Sequence, residues 1–202
     1  YGNKKVGAFG AMATFSFYFG HQLSTIEGGM INTDSKDLYN MLLMLRSHGW
    51  GKDLDSKTRA GLMKKYRIDD FHQPFTFFVP GFNLRSTDLN AFLGIKQMQK
   101  ADKVSVIRKR NHLIYAKNIK TVDFQKWDKK ATPCSISFGV LAKNPGHRRR
   151  VVEALDKHKI ETRLFSAGNL GRHPFWVERY GVFRDQMADR VHDCGFFLPN
   201  NE

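Results

Sequence analysis

The sequence contains little cysteine, a minority of acidic residues and no long apolar run. Its 202 residues include two cysteines, Cys134 and Cys194, which are too far apart to suggest a disulfide framework or a zinc site. Two scattered thiols are typical of a reducing cytoplasm, which is the localisation we predict. No apolar stretch approaches the roughly 20 residues that a membrane-spanning helix needs, so we expect no bilayer span. Because the cysteine spacing does not suggest a zinc site, we also expect no bound metal.

The two ends of the sequence are also unusual. The first five residues, Tyr1 to Lys5, contain neither an initiating methionine nor the apolar segment of a secretory signal. The last residues, 196–202, follow directly on an apolar segment. We therefore expect the sequence to be part of a longer chain.

Basic residues greatly outnumber acidic ones. The chain has 33 Lys and Arg against 19 Asp and Glu, a formal net charge of +14, and residues 100–120 carry much of the excess. Such a charge favours a polyanionic partner such as nucleic acid. No RNP, KH, zinc-finger or clear helix-turn-helix signature accompanies it, and basic helix faces are usually solvated surface. A nucleic-acid-binding module is therefore the least favoured of three hypotheses.

Strand and helix signals alternate along the chain. An aromatic-rich strand precedes a glycine-rich turn, a short strand covers residues 30–33, and a helix capped by Asp34 or Ser35 follows. A longer helix begins at residues 86–88 and continues as a basic segment to residue 120, whereas residues 50–80 look irregular. Strands over residues 133–141 and 160–165 flank a helix over residues 147–158. The pattern predicts an α/β or α+β architecture with a boundary near residues 117–132.

The most informative segment covers residues 14–30. It places the hydroxyl of Ser16 and the imidazole of His21 around a tight turn after a strand, followed by Glu27 and the pair Gly28-Gly29. An imidazole group, whose ordinary pKa lies near neutral pH, is suited to moving a proton. On local sequence alone, an ordinary loop histidine is the favoured interpretation of His21, because a single histidine is weak evidence.

This segment resembles the cofactor-lysine region of the DegT/DnrJ/EryC1/StrS family, the sugar aminotransferases of the aspartate aminotransferase fold. The family pattern is T-x-S-F-(Y/H)-x-x-K-x-(L/I)-x-x-x-E-G-G, and His21 stands where the lysine forms a Schiff base with pyridoxal phosphate. The residues that match are Thr14, Ser16, Phe17, Tyr18, Leu23, Glu27, Gly28 and Gly29. The resemblance implies the C-terminal portion of a fold-type I protein, with the end of the large α/β domain in residues 1–120 and a small α+β domain in residues 121–202.

The histidine resembles the branch of the family that removes the 3-hydroxyl of nucleotide-linked 4-keto-6-deoxy sugars. In that branch pyridoxamine phosphate is bound without a covalent link, its amine condenses with the sugar ketone, and the histidine takes a proton from the cofactor C4′ atom. The resemblance therefore implies His21 as the general base and Ser16 as a ligand of the cofactor phosphate. A second hypothesis is a family relative with altered or lost activity.

Three further segments resemble the family. Residues 80–91 match its G-(Y/F)-N block, which implies that Asn83 reaches the cofactor phosphate of the neighbouring subunit in a homodimer. Residues 46–53 resemble the stretch after the first helix, and its Trp-Gly-Lys-Asp part favours the 3-dehydratases. Residues 161–174 resemble the dehydratase block on the sugar side of the site, which implies substrate contacts for Arg163, Asn169 and Arg172. The same residues also fit a strand, a glycine turn and a proline stop.

Two cysteines cannot bind the [2Fe–2S] cluster of the reductase-coupled dehydratases, which needs four ligands. The resemblance therefore favours the cluster-free branch, in which glutamate renews pyridoxamine phosphate. The family's aspartate for the pyridine nitrogen and its stacking aromatic precede the segment that begins at Tyr1.

Overall fold

The structure is a computed structural model that describes residues 1–201, and these fall into two compact units. The first unit is Asn3–Gln99, and the second contains the chain from Lys100 onward together with Tyr1–Gly2. The predicted assignment of residues 1–120 to a large domain and 121–202 to a small one stays a prediction. No helix within residues 1–201 has the length and apolar character needed to cross a membrane.

Both units contain helices and strands. The helices are α1 (Lys36–Arg46), α2 (Ser56–Tyr66), α3 (Asp88–Met98), α4 (Ala101–Asn118), α5 (Pro145–Lys157), α6 (Pro174–Tyr180) and α7 (Gln186–Cys194). The strands are β1 (Ala13–Ser16), β2 (Gly29–Asn32), β3 (Asp123–Phe124), β4 (Ser137–Leu141), β5 (Arg163–Leu164) and β6 (Gly195–Pro199). Short 3-10 helices cover Val6–Ala8, Gln73–Phe75 and Leu170–Arg172.

The first unit begins with an antiparallel pair, β1 and β2, in which Ser16 lies opposite Gly29. Helix α1 follows because the Ser35 side chain accepts a hydrogen bond from the Leu38 N–H and caps the first turn. Helix α3 has a capping box, formed by Thr87 and Asn90. These caps fix where the chain leaves the β1–β2 pair and where it enters α3.

Two expectations for helices differ from the structure. The long helix predicted from residues 86–88 to 120 is two helices, α3 and α4, which separate at Gln99 and Lys100, where the compact units also divide. Helix α2 occupies part of the stretch predicted to be irregular. It has no buried residue, so it offers no apolar stripe to recognise. It begins because Asp55 accepts a hydrogen bond from the Thr58 N–H over 2.9 Å.

The second unit is built on an antiparallel sheet with the strand order β3-β4-β6-β5. Side chains on one face of β4 and β6 form its core with residues of the neighbouring segments: Val122, Phe138, Val140, Ala142, Phe196 and Leu198. Aromatic and aliphatic residues of α4 and α5 pack against this core, among them Tyr115, Val152 and Leu155. The predicted strands over residues 133–141 and 160–165 correspond to β4 and β5.

Candidate active site

The segment that carries His21 is a closed loop. The Phe17 N–H donates to the Gly28 carbonyl over 2.8 Å, and the Thr25 N–H donates to the Phe17 carbonyl over 2.9 Å. Inside this loop the His21 N–H donates to the Tyr18 carbonyl over 3.0 Å. The backbone bonds at its base hold the loop directly after β1, with His21 in the turn.

Ser16 is the last residue of β1 and His21 lies in the turn that follows, and both are exposed. The Ser16 Oγ accepts a long hydrogen bond of 3.4 Å from the Tyr18 N–H, and the imidazole of His21 packs edge-on to the Tyr18 ring with 5.9 Å between centroids. The Ser16 hydroxyl, the Tyr18 N–H that it accepts from and the His21 imidazole thus lie in one short segment at the end of β1. This set suits a phosphorylated heterocycle, because the hydroxyl and N–H can bind phosphate oxygens while the imidazole handles a proton.

Two family-like segments of the first unit, residues 46–53 and 80–91, lie side by side. The His48 N–H donates to the Phe82 carbonyl over 2.7 Å, and an isolated β-bridge pairs Ser47 with Asn83. Two glycines allow this approach. A Cβ on Gly49, whose φ is +91°, would lie 1.8 Å from the Val79 carbonyl oxygen, and one on Gly81 would lie 2.2 Å from the Gly49 nitrogen. The two motifs are therefore one structural feature, which presents the exposed Asn83.

An aromatic and cationic cluster surrounds Trp50, next to Asn83. Phe77 stacks on the indole with 5.5 Å between ring centroids, and the Lys52 Nζ lies 5.0 Å from the indole centroid. The Arg85 guanidinium lies 5.8 Å from the same centroid, and its Nε donates to the Asn83 Oδ1 over 3.4 Å. Asn83 is thus bonded to one cation of a cluster in which two cationic side chains contact the same indole, and such positive charge favours an anionic ligand. The sequence pointed to Trp50 and Lys52 only as parts of a motif.

In the second unit, Asn169 is buried, with 4% of its surface exposed. Its Oδ1 accepts from the Gly171 N–H over 2.9 Å, and its Nδ2 donates to the Phe183 carbonyl over 3.3 Å and to Asp189 Oδ1 over 3.0 Å. The polar atoms of this side chain are therefore engaged inside the unit. Arg163, at the start of the same segment, is exposed on β5.

Arg172 forms ion pairs with two carboxylates of α7. Its guanidinium donates to Asp193 Oδ1 over 2.9 Å and to Asp189 Oδ1 over 3.3 Å. The hydrogen bond with Asp193 is the main cause that raises the pKa of Arg172 above its ordinary value. The hydrogen bond from Asn169, followed by that from Arg172, lowers the pKa of Asp189 despite the opposing effect of desolvation. Asp189 is therefore ionised at neutral pH.

His192 completes the contact of α7 with this loop. Ser166, Ala167 and Gly168 all have positive φ angles, and a Cβ on Gly168 would lie 2.5 Å from the His192 Nδ1. The Asn169 N–H donates to the same Nδ1 over 3.1 Å. Residues 189, 192 and 193 lie on one face of α7, and all three contact the loop. Sequence reasoning missed them because α7 was not assigned as a helix, although its N-cap, Asp185, is a visible signal.

The structure brings Ser16 and His21 together in the first unit and places Asn83 on a separate feature of that unit. Arg163, Asn169 and Arg172 share one segment of the second unit. Among residues 1–201, no group of three or more His, Cys, Asp and Glu side chains is arranged to hold a metal ion. The first unit thus presents an exposed hydroxyl at the end of β1, an exposed imidazole in the turn that follows and an exposed amide at Asn83.

The sequence matches the model of the DegT/DnrJ/EryC1/StrS aminotransferase family over residues 1–201. It is similar to GDP-4-keto-6-deoxy-D-mannose 3-dehydratase of Escherichia coli O55:H7, with 33% identity over 100% of this chain and 53% of the relative. The protein of that name from Yersinia pseudotuberculosis is 31% identical over 98% of this chain and 52% of the relative. This chain therefore spans about half the length of the curated relatives it matches.

Solved structures give the same result. The E. coli GDP-4-keto-6-deoxy-D-mannose-3-dehydratase with bound hydrated PLP matches with a TM-score of 0.81 and 27% identity, over 98% of this chain and 52% of that one. A structure of the same dehydratase with a trapped PLP-glutamate geminal diamine matches with a TM-score of 0.81 and 28% identity, over 98% of this chain and 53% of that one. The predicted family and the aminotransferase-like fold are confirmed.

Proposed function

Because this chain belongs to the DegT/DnrJ/EryC1/StrS aminotransferase family, we propose that it acts as a pyridoxamine phosphate-dependent sugar 3-dehydratase. Its substrate is a nucleotide-linked 4-keto-6-deoxy sugar, from which the 3-hydroxyl is removed. The observation that carries the proposal is His21, which occupies the lysine position of the family pattern in an exposed, hydrogen-bonded turn. The names of the two curated relatives support the substrate class.

The residues of the first unit fit a phosphorylated pyridine cofactor. Ser16 offers an exposed hydroxyl beside the Tyr18 N–H, and Asn83 offers an exposed amide bonded to the cationic Arg85. Ser16 would hold the phosphate within one subunit, and Asn83 would do so across a homodimer interface. When bound, pyridoxamine phosphate supplies an amine for the sugar ketone and an electron sink for the departure of the hydroxyl.

His21 suits the role of base for four physical reasons. A neutral imidazole is a good base near pH 7, and unlike a lysine amine it does not trap an aldehyde in a stable covalent link. Its exposure leaves the ring accessible to a ligand, and its packing on Tyr18 restricts the ring orientation. In the proposed role His21 takes a proton from the cofactor C4′ atom and holds it while the C3 hydroxyl leaves.

The remaining partners are part of the same proposal. Glutamate serves as the amino donor that renews the cofactor, consistent with the PLP-glutamate adduct in the similar structure. Arg163 contacts the anionic substrate, and Arg172 and Asn169 belong to the same loop. We propose a cytoplasmic homodimer as the working form.

The proposal is tested by comparing the wild-type full chain with His21→Asn, which removes the base but keeps a polar side chain. With PLP and glutamate, wild-type protein should convert PLP to the pyridoxamine form, seen as a loss of its visible absorbance. It should then release 2-oxoglutarate and the 3-deoxygenated sugar from a GDP-linked 4-keto-6-deoxyhexose.

His21→Asn should still bind PLP but lose activity by about 10²- to 10⁴-fold, the usual contribution of a positioned base. His158→Asn, at an exposed helix end, is the matched control and should behave as wild type. No absorbance change in wild-type protein, or full activity in His21→Asn, would refute the proposal.

A further inference from the structure

The side chain of Asn90, in helix α3, is hydrogen-bonded to the loop that carries His21. The Asn90 Nδ2 donates to the Thr25 carbonyl over 2.8 Å and to the Glu27 carbonyl over 3.1 Å. These two carbonyls flank Ile26, so a single amide group bridges three consecutive residues of the loop. Both hydrogens of the amide are used in this way.

The bridged residues are where the loop needs support. Ile26 has a φ of +72°, a conformation that a β-branched residue adopts only under constraint from its surroundings. Thr25 is buried, with 6% of its surface exposed, and its Oγ1 donates to the Glu27 carbonyl over 2.9 Å. The Thr25 N–H also closes the base of the loop by donating to the Phe17 carbonyl. Asn90 therefore bonds the strained turn that closes the loop carrying His21.

Neighbouring residues fit this contact. Gly94, one turn further along α3, leaves room for Thr25, because a Cβ there would lie 3.2 Å from the Thr25 Cγ2. The other polar atom of the Asn90 side chain, Oδ1, lies 2.5 Å from the Thr87 Oγ1 in the capping box at the start of α3. Asn90 thus links the helix cap on one side to the His21 loop on the other.

We propose that Asn90 is a positioning residue for the proposed dehydration: it touches neither cofactor nor substrate and sets the backbone geometry that presents His21. The inference rests on the proposed function for its catalytic consequence. The bond network itself is a property of the loop. A failure of the inference about Asn90 can therefore be separated from a failure of the proposed function.

The decisive variant is Asn90→Asp in the full chain. Aspartate keeps an oxygen for the Thr87 cap and suits a helix N-terminus, but it replaces the donor by a carboxylate that repels two carbonyls. We expect the backbone amides of Phe17, Thr25 and Ile26 to exchange with deuterium at least about ten times faster in protein without cofactor, because the loop opens more often. In the dehydratase assay, kcat should fall about tenfold or more with little change in KM, because misplacement of a base affects mainly the chemical step.

Two controls separate the loop from the fold. Asn111→Asp removes the same kind of donor from a carbonyl in the second unit, that of Asn201, and should leave amide exchange in the loop unchanged. Thr87→Val removes the cap hydroxyl but keeps the Asn90 amide; it should lower the unfolding midpoint while kcat stays within about twofold of wild type.

Unchanged exchange of the three loop amides in Asn90→Asp would overturn the inference. So would a loss of kcat that Thr87→Val reproduces in full, since the effect would then belong to the helix cap. Faster exchange in a protein whose wild type has no dehydratase activity would refute the proposed function and leave the positioning of the loop standing.

Discussion

The side-chain amide of Asn169 donates a hydrogen bond to Asp189 over 3.0 Å, and this bond ties the loop predicted to face the sugar to helix α7. The same amide bonds the Phe183 carbonyl, and the Asn169 Oδ1 caps the following 3-10 helix at Gly171. With its polar atoms used inside the unit, Asn169 contributes to the shape of the loop. Arg163, on the neighbouring strand, is exposed and has a side chain available to a ligand.

Replacement of Asn169 by alanine should therefore destabilise the second unit. The change leaves the Gly171 N–H and an oxygen of Asp189 without their buried partner, which costs about 1–3 kcal/mol of the free energy of unfolding. Urea unfolding followed by near-UV circular dichroism would measure it. A variant with wild-type stability but weaker binding of the nucleotide sugar would instead assign Asn169 a direct substrate contact.

Arg163→Gln should show the opposite behaviour. An exposed side chain on a short edge strand contributes little to folding. The free energy of unfolding of the variant should therefore stay within about 0.5 kcal/mol of wild type. If the guanidinium pairs with the substrate diphosphate, loss of one charge-assisted hydrogen bond should raise KM about tenfold or more with kcat retained. Steady-state kinetics on the GDP-linked substrate would decide this, with Arg149→Gln, an exposed position on α5, as a matched loss of charge. Equal KM values in wild type and Arg163→Gln would contradict the assignment.

Two glycines with different surroundings give a paired stability test. Gly81→Ala should unfold the first unit more easily, by about 2 kcal/mol or more, because its Cβ would overlap the backbone of Gly49 at 2.2 Å and force the two motif segments apart. Gly61→Ala in α2 should raise stability by about 0.5–1 kcal/mol, because no atom lies within 4 Å of the new methyl group and alanine favours a helix. Thermal unfolding of both variants would test the pair. A tolerated Gly81→Ala would contradict the close packing of residues 47–50 against residues 79–83.

The sequence was sufficient to predict the elements whose patterns are local. The Ser35 cap, the start of α3 and the β1–β2 pair follow from residues a few positions apart. Helix α2 was missed because it has no buried face, and the break at Gln99 because one helical pattern runs across it. The family pattern identified Ser16, His21 and Asn83, but the bonds of Asn90 and Asp189 join residues 20 to 65 positions apart, which no local pattern reveals.

His21→Lys should restore the covalent chemistry that the family pattern implies. A lysine in this exposed turn can reach the cofactor aldehyde if Ser16 and Asn83 hold the phosphate, and the resulting Schiff base absorbs near the visible range. Titration of the full chain with PLP would reveal the band, and borohydride reduction followed by mass spectrometry would locate it at position 21. His158→Lys, an exposed substitution of the same kind, should give no such band. Absence of the band in His21→Lys would indicate that the pocket no longer binds the cofactor.

His112 makes the stability of the second unit depend on pH. Its ring packs edge-on to Trp127 and Phe138, with 4.7 and 4.9 Å between centroids, and its Nδ1 lies 3.0 Å from the Ser135 Oγ. Within residues 1–201 its buried Nε2 has no hydrogen-bond partner. Burial therefore disfavours the imidazolium and lowers the pKa of His112 below its ordinary value of 6.5.

The sign of the pH effect follows from which state binds the proton. Below about pH 6.5 an unfolded chain protonates this histidine, whereas the folded chain resists protonation until the pH reaches its lower pKa. The free energy of unfolding should therefore fall as the pH decreases from about 6.5 toward that pKa, and this contribution should be constant above about pH 7.5. His112→Phe removes the titrating group, so its unfolding midpoint should change less between pH 7.5 and 5 than that of wild type, even if it is lower throughout. His158→Phe should show the same change of unfolding midpoint with pH as wild type, because the group it removes is exposed. An equal change with pH in wild type and His112→Phe would show that protonation of His112 is not linked to folding.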